Sequence, residues 1–203
     1  MKLCSCRDIE FYASTSSPRR RELLKKHFKK IKFLFPKLSE GIESGSIKGI
    51  KDPVRLVKIL SFLKAQSSID LLKNKRTIVI GVDTIVFIDD KILGKPRDDK
   101  EAYRMLKILS GRVQRVYSGV TLYRVPEGSY EVFTDTSLVR FKVLDDNMIK
   151  KYIYLYKPFD KAGAYGVQET REEFIESIDG SYYNVMGFPL EKFIRVLKWF
   201  AKC

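Results

Sequence analysis

The chain has 203 residues, of which 44% are hydrophobic, and a formal net charge of +14 at pH 7. This length suits one domain with a substantial core. No apolar run approaches the roughly 20 residues of a membrane span, and the start of the chain lacks the apolar segment of a signal peptide. We therefore expect a soluble, cytoplasmic protein that forms a single domain over residues 1–203.

The cysteine and histidine content excludes the commonest disulfide and metal sites. Cys4, Cys6 and Cys203 are an odd number of thiols and make neither a disulfide framework nor a zinc site. His27 is the single histidine, which excludes most sites in which several histidine side chains bind a metal. A bound metal is therefore expected to be a hard cation on carboxylate oxygens.

The positive charge has three explanations: polyanion binding, binding of phosphate-bearing small molecules, or a surface that is simply rich in lysine. Lysines are spread over the whole chain, without interleaved aromatic residues or a nucleic-acid-binding signature. This distribution favours a lysine-rich surface for most of them.

The first elements in chain order predict a strand, a polar loop and a helix. Residues 9–13 form the predicted strand, and Ser17 and Pro18 suit the N-cap and first position of a helix that reaches about residue 28. Backbone N–H groups and the positive end of the helix dipole favour an anion at this point. The arginines of residues 19–21 oppose that dipole, so we expect an anion to bind beside them.

Two further elements lead to the centre of the chain. Residues 32–35 predict a short strand, and residues 36–51 predict a flexible loop that carries Glu40. Pro53 begins a predicted helix with apolar residues at helical spacing, and Lys64 falls in its C-terminal half.

One acidic residue interrupts a run that is otherwise typical of a buried strand. Residues 77–88 read Thr-Ile-Val-Ile-Gly-Val-Asp-Thr-Ile-Val-Phe-Ile, with Asp83 in the middle. Burying a carboxylate is costly unless a cation or hydrogen-bond donors compensate its charge, and the candidate cations are Lys95, Lys64 and the pair Arg19 and Arg20. Alternatively, Asp83 lies at an edge or bulge and faces water. We favour an inward charge, which tends to mark a functional site.

The second half of the chain predicts alternating hairpins and helices. A turn at residues 89–91 makes a hairpin with residues 92–96, Asp98 or Asp99 caps a helix through residue 108, and residues 116–125 and 130–143 form a second hairpin. A helix over residues 145–156, a glycine-rich loop over 160–168, a strand over 174–178 and a final helix from about 189 complete the chain. The final helix is amphipathic, and we expect it to pack on the core rather than on a membrane.

Together these positions supply cations, two carboxylates and a glycine-rich loop. Cations gather phosphate oxygens, two carboxylates can hold a divalent metal and orient water, and a backbone loop can recognise a base edge. The chain has neither a P-loop nor a kinase motif. The residues therefore indicate hydrolysis of a nucleotide polyphosphate.

Six ordered segments, which span nearly the whole chain, resemble the motifs of the Maf family. They are residues 13–24 (Ala-Ser-Thr-Ser-Ser-Pro-Arg-Arg-Arg-Glu-Leu-Leu), 81–84 (Gly-Val-Asp-Thr), 94–96 (Gly-Lys-Pro), 109–112 (Leu-Ser-Gly-Arg), 160–168 (Asp-Lys-Ala-Gly-Ala-Tyr-Gly-Val-Gln) and 180–190, which contains Gly-Ser-Tyr and Gly-Phe-Pro-Leu.

The resemblance implies an elongated α/β fold, with a mixed β-sheet flanked by helices and two lobes around a central cleft, as in the related inosine-triphosphate pyrophosphatases. It implies hydrolysis of a nucleoside triphosphate to a nucleoside monophosphate and pyrophosphate, with a divalent cation such as Mg, Mn or Co. It is compatible with a homodimer.

Position by position, the resemblance assigns roles to individual residues. Asp83 and Glu40 match the two catalytic acids; both would bind the metal, and one of them would activate the water that attacks the α-phosphorus. The resemblance does not say which acid is the base. The other matched positions would bind the substrate: Ser14 or Ser17, Arg19, Arg20, Lys64, Thr84, Lys95 and Gln168.

The same motifs bear on the choice of base. Arg19, Thr84 and Gln168 resemble the branch of the family that acts on dTTP and UTP, rather than the branch that acts on methylated guanosine triphosphate. Three features depart from the family pattern. The first motif has one extra residue, Gln114 replaces a usual histidine, and Glu169 stands where glycine commonly follows Gln168. Glu169 is thus a candidate to narrow or reshape the base pocket.

Two other functional classes compete with the enzyme. The net charge of +14 is compatible with a non-enzymatic nucleic-acid-binding protein, the family resemblance with a cell-division regulatory protein, and the last helix with a membrane-surface module. Both alternatives leave Asp83, Glu40 and the glycine-rich loop without a purpose, so we favour the enzyme.

Overall fold

The expected α/β architecture is present in a computed structural model of the chain, which describes residues 9–35, 49–72 and 76–201. The described strands form one mixed, seven-stranded sheet with the order β2-β1-β3-β5-β6-β7, and β4 pairs with β3. The strands are β1 (Glu10–Ser14), β2 (Ile31–Leu34), β3 (Thr77–Ile88), β4 (Lys91–Leu93), β5 (Val113–Val125), β6 (Tyr130–Phe141) and β7 (Ile175–Asp179).

Helices flank the sheet. They are α1 (Pro18–His27), α2 (Pro53–Gln66), α3 (Asp99–Leu109), α4 (Asp146–Tyr156), α5 (Val167–Thr170), α6 (Tyr182–Val185) and α7 (Leu190–Phe200), with short 3-10 turns at Ile69–Leu72 and Ala162–Ala164. Of the helices described, none combines the length and the apolar character needed to cross a bilayer.

The chain divides into two compact units. The first unit comprises Met1–Asp83, Ser118–Asp135 and Gly187–Cys203, and the second comprises Thr84–Tyr117 and Thr136–Met186. Whether these units fold as one domain around one site stays a prediction.

In the first unit, two glycines bring helix α2 close to the sheet. A Cβ atom at Gly81 in β3 would lie 2.0 Å from the Ser61 carbonyl oxygen, and one at Gly119 in β5 would lie 2.2 Å from the Val57 carbonyl oxygen. Because glycine lacks this atom, the backbone of α2 packs directly against both strands. The buried residues Tyr12, Ala65, Leu72, Val79 and Val125 form an apolar cluster of the same unit.

Helix α7 packs on the core of the first unit, as its amphipathic pattern predicts. Leu190, Phe193 and Leu197 are buried, and the ring of Phe193 makes an edge-to-face contact with Phe28 at 5.5 Å between centroids. The apolar face of α7 is therefore occupied by its own protein, which argues against the membrane-surface module.

In the second unit, helices α3 and α4 run antiparallel. Lys107 near the end of α3 pairs with Asp146 at the start of α4, at 3.1 Å. At the opposite ends, Lys157 after α4 lies 3.9 Å from Asp99 at the start of α3. The core of this unit includes Leu106, Phe141, Ile149, Tyr165 and Phe174.

The glycine-rich segment differs from the expected loop. Gly163, with φ of 69°, turns the chain within Ala162–Ala164, and Gln168 then lies in helix α5, where the Glu169 and Thr170 amides donate to the Gly166 carbonyl. An element of one turn shows no helical periodicity in the sequence, which explains the error.

Candidate functional site

Asp83 lies inside the sheet of the first unit and is paired with a lysine. Strand β3 runs between β1 and β5, and Asp83 is only 8% exposed, so the alternative of a water-facing edge residue is wrong. The Lys64 ammonium contacts Asp83 Oδ1 in an ion pair. Counting side-chain atoms alone, Lys64 is 16% exposed and Asp83 is 11% exposed. Lys64 thus supplies the cation that a buried carboxylate requires.

The sheet geometry explains this pair. Alternate residues of a strand point to the same face, so Asp83 lies on the face of β3 that Gly81 presents to helix α2. A Cβ atom at Gly81 would lie 2.6 Å from the Ala65 backbone nitrogen, and Lys64 precedes Ala65. The close approach at Gly81 therefore brings Lys64 within reach of Asp83.

Arg20 fixes the backbone next to Asp83. Its Nε donates to the Gly187 carbonyl at 2.7 Å and its Nη1 to the Val82 carbonyl at 3.2 Å. Burial of the guanidinium, which outweighs the attraction of Asp83, lowers the pKa of Arg20 to about 10, and the side chain stays charged at neutral pH. Arg20 thus links helix α1 to β3 and to the segment before α7.

The two candidate serines have different surroundings. Ser14 is fully buried, and its hydroxyl shares a hydrogen bond of 2.8 Å with Ser68. Ser17 is the N-cap of helix α1, as predicted, and its Oγ accepts from the Arg20 amide at 3.5 Å. Because Ser17 is partly exposed, it is better placed than Ser14 to contact a phosphate.

The neighbouring arginines do not share one environment. The Arg21 guanidinium lies 5.2 Å from the ring centroids of both Phe33 and Phe35, so cation–π contacts account for its position without an anion. Arg19 is partly exposed at the start of helix α1. Arg19 is therefore a better candidate than Arg21 for binding phosphate, and this role stays a prediction.

The remaining described candidates belong to the second unit. Thr84 is partly buried in β3, Lys95 is exposed after β4, and Gln168 is exposed in α5. The Gly163 amide donates to the Gly94 carbonyl at 2.9 Å, so the Gly-Lys-Pro segment contacts the glycine-rich segment within this unit.

The predicted pair of metal-binding acids is described only in part. Glu40 lies outside the described residues, and Asp83 is the described member of the pair. Over residues 9–35, 49–72 and 76–201, no cluster of three or more His, Cys, Asp or Glu side chains is placed to hold a metal. The metal-binding role of Asp83 and Glu40 stays a prediction.

Glu169 takes part in a network that the sequence did not reveal. Lys161 is buried, and its Nζ lies 2.9 Å from Asp160 Oδ1 and 3.6 Å from Glu169 Oε1. The Tyr152 hydroxyl donates to Glu169 Oε2 at 3.3 Å and accepts from the Gly166 amide at 3.1 Å. The Glu169 carboxylate is thus engaged by Lys161 and Tyr152, whereas the adjacent Gln168 is exposed.

Gln114, at the position of a usual histidine in the motif, is a buried residue. Its side-chain amide donates to the Tyr165 hydroxyl, and burial raises the pKa of Tyr165. Gln114 Oε1 has no hydrogen-bond partner within the part of the chain that the structure describes. Gln114 is therefore buried in the second unit, where it contacts Tyr165.

Comparisons with known proteins agree with the motifs. The model of the family described as "Maf-like protein" matches residues 11–200. A "dTTP/UTP pyrophosphatase" of Carboxydothermus hydrogenoformans is 41% identical over 94% of this chain and 98% of its own length. Proteins of the same name from Thermosipho melanesiensis (42% identical, 93% of this chain, 97% of its own length) and Thermococcus gammatolerans (43%, 88% and 90%) are also similar.

Proposed function

Because this chain belongs to the Maf-like protein family, we propose that it is a pyrophosphatase that hydrolyses nucleoside triphosphates, with dTTP and UTP as its preferred substrates. The observation that carries the proposal is the buried Asp83, paired with Lys64 on the strand that contains the Gly-Val-Asp-Thr motif. Relatives named for dTTP and UTP, aligned over almost the whole chain, support the substrate class. A cytoplasmic location and a homodimer stay predictions.

The phosphate groups are assigned to the basic residues. Ser17 and Arg19 lie at the start of helix α1, where backbone N–H groups favour an anion. Lys64 and Lys95 add charge, and Arg20 acts mainly by holding the Val82 carbonyl next to Asp83. These cations stabilise the charge that develops on the leaving pyrophosphate.

Asp83 and Glu40 suit a hard divalent cation, because both offer carboxylate oxygens. When bound, such a cation, for example Mg, Mn or Co, would reduce the electrostatic repulsion between a nucleophile and the negatively charged triphosphate. One of the two carboxylates accepts the proton of the water that attacks the α-phosphorus. Lys64 balances the negative charge of the buried Asp83, and Lys64 is also one of the proposed phosphate ligands.

The products distinguish this proposal from other triphosphate hydrolysis. Incubation with dTTP and a divalent cation should release dTMP and pyrophosphate without orthophosphate, and excess chelator should abolish turnover. Phosphorus NMR of the reaction identifies the products. Release of dTDP and orthophosphate would place cleavage at the γ-phosphate and would contradict the proposal.

Gln168 is the proposed base-recognition residue. A carboxamide offers one acceptor and two donors, and so complements the carbonyl, N–H and carbonyl edge of thymine or uracil. We expect kcat/KM to fall in the order dTTP and UTP, then CTP, then purine triphosphates. Gln168→Ala should reduce the differences in kcat/KM among these substrates more than it lowers the maximum rate.

The neighbouring carboxylate provides a control for that prediction. Glu169 contacts Lys161 and Tyr152, so Glu169→Gln should keep the preference for dTTP and UTP. A preference that survives Gln168→Ala but is lost in Glu169→Gln would transfer base selection from Gln168 to Glu169.

A further inference from the structure

We propose a second binding surface that is separate from the proposed hydrolytic activity: the groove between helices α3 and α4 binds single-stranded nucleic acid. The groove has a volume of about 650 Å³. It is lined by Asp99, Lys100, Tyr103 and Arg104 of α3 and by Lys150, Ile153 and Tyr154 of α4.

Three exposed cations of the groove, Lys100, Arg104 and Lys150, form no ion pair with an acid among the described residues, although Asp146 attracts Lys150 electrostatically. The acids at the two ends of the helix pair are engaged elsewhere, since Asp99 lies 3.9 Å from Lys157 and Asp146 lies 3.1 Å from Lys107. The groove therefore carries unneutralised positive charge, and its complement is a ligand with several negative charges in a row.

Two tyrosines line the same groove as these cations. Tyr154 is 75% exposed, with Lys157 Nζ 5.6 Å from its ring centroid, and Tyr103 is partly buried with its hydroxyl bonded to Asp146. Ile153 is buried between the helices and forms the apolar floor. Exposed ring faces beside cations are stacking surfaces for nucleobases, and the cations contact the connecting phosphates.

The open shape of the groove favours a single strand over other nucleotides. A site for a free mononucleotide encloses most of its ligand, whereas the exposed Tyr154 and the surface cations form an open track. A duplex keeps its bases stacked on one another and offers phosphates only. A single strand presents both phosphates and unstacked base faces, so it uses the tyrosines and the cations together.

Binding of a fluorescently labelled 12-mer of thymidylate, measured by anisotropy over a range of salt concentrations, tests the proposal. Tyr154→Ala should weaken binding by at least about fivefold, because stacking contributes about 1–3 kcal/mol per base. Leu155→Ala is the matched control, since Leu155 is the next residue of α4, is 57% exposed and does not line the groove. It should leave binding unchanged.

A charge-matched comparison tests the cations. Replacing Lys100, Arg104 and Lys150 by glutamine should reduce the slope of log K against log salt by about 2, since each phosphate contact contributes about 0.7 for a single strand. Replacing Lys26, Lys29 and Lys30 by glutamine removes the same charge from the first unit and should have a smaller effect.

Three results would overturn the proposal: equal losses in the two triple variants, a duplex of equal length bound as tightly as the single strand, or binding to the single strand that Tyr154→Ala does not weaken. dTTP hydrolysis, followed in the same variants, should stay at the wild-type rate. Loss of strand binding with normal hydrolysis separates this surface from the proposed active site.

Discussion

Replacement of Asp83 by asparagine should lower kcat for dTTP by about a hundredfold or more, in a protein that still folds. The substitution keeps the shape of the side chain and removes a charge that binds the proposed cation and that is one of the two candidate proton acceptors. Steady-state hydrolysis assays measure the loss, and circular dichroism confirms the fold. A variant with near-normal turnover would make Asp83 a structural residue.

The stability of the same variant separates the ion pair from catalysis. Asp83→Asn leaves the partly buried Lys64 ammonium without its counter-charge, which should cost about 1–3 kcal/mol of unfolding free energy. The double variant Asp83→Asn with Lys64→Met should recover much of that stability without recovering activity. Asp89→Asn, which breaks the exposed pair with Arg112, is the control and should cost less than about 1 kcal/mol.

The Gly81→Ala substitution should destabilise the protein by about 3 kcal/mol or more. The added Cβ atom would lie 2.0 Å from the Ser61 carbonyl oxygen and 2.6 Å from the Ala65 nitrogen, and both are backbone atoms that cannot rotate away. Helix α2 must move outward, and Lys64 then separates from Asp83. Denaturant unfolding measures the first effect, and hydrolysis by the remaining folded fraction measures the second.

Gly94→Ala is the control for that result. Nothing lies within 4 Å of a Cβ atom at Gly94, so its stability should stay within about 1 kcal/mol of the wild type. If Gly81→Ala is as stable as Gly94→Ala, the backbone of helix α2 does not contact β3 at Gly81.

Much of the fold could be predicted because local signals mark the ends of its elements. Asp98 and Asp145 cap helices α3 and α4 through their side chains, and the Asp89 and Asp90 residues at the β3–β4 turn adopt left-handed conformations with φ of 49° and 57°. Such capping and turn chemistry depends on a few adjacent residues, and it is therefore visible in the sequence.

The burial of Asp83 was predictable from the sequence, but its contacts were not. The sequence indicated that Asp83 is buried and needs a cation, and several basic residues were candidates for that cation. Lys64 is the partner because Gly81 and Gly119 let helix α2 approach two strands that are distant in sequence. The backbone contacts of Arg20 with Val82 and Gly187 are equally non-local.

The α3–α4 groove shows the same limit. Its residues come from two segments about fifty positions apart, so their order along the chain does not show that they form one surface. Antiparallel packing of the two helices brings Tyr103, Arg104, Lys150 and Tyr154 onto one surface.

The contacts of Glu169 couple the effects of substitutions at positions 166 and 169. A Cβ atom at Gly166 would lie 1.9 Å from Glu169 Oε2, and that carboxylate cannot move without giving up Lys161 and Tyr152. An alanine at 166 is therefore harmful while residue 169 is glutamate, and it becomes tolerable once residue 169 is shortened. The effects of the two substitutions on stability are therefore non-additive, because shortening residue 169 also removes a carboxylate that contacts the buried Lys161.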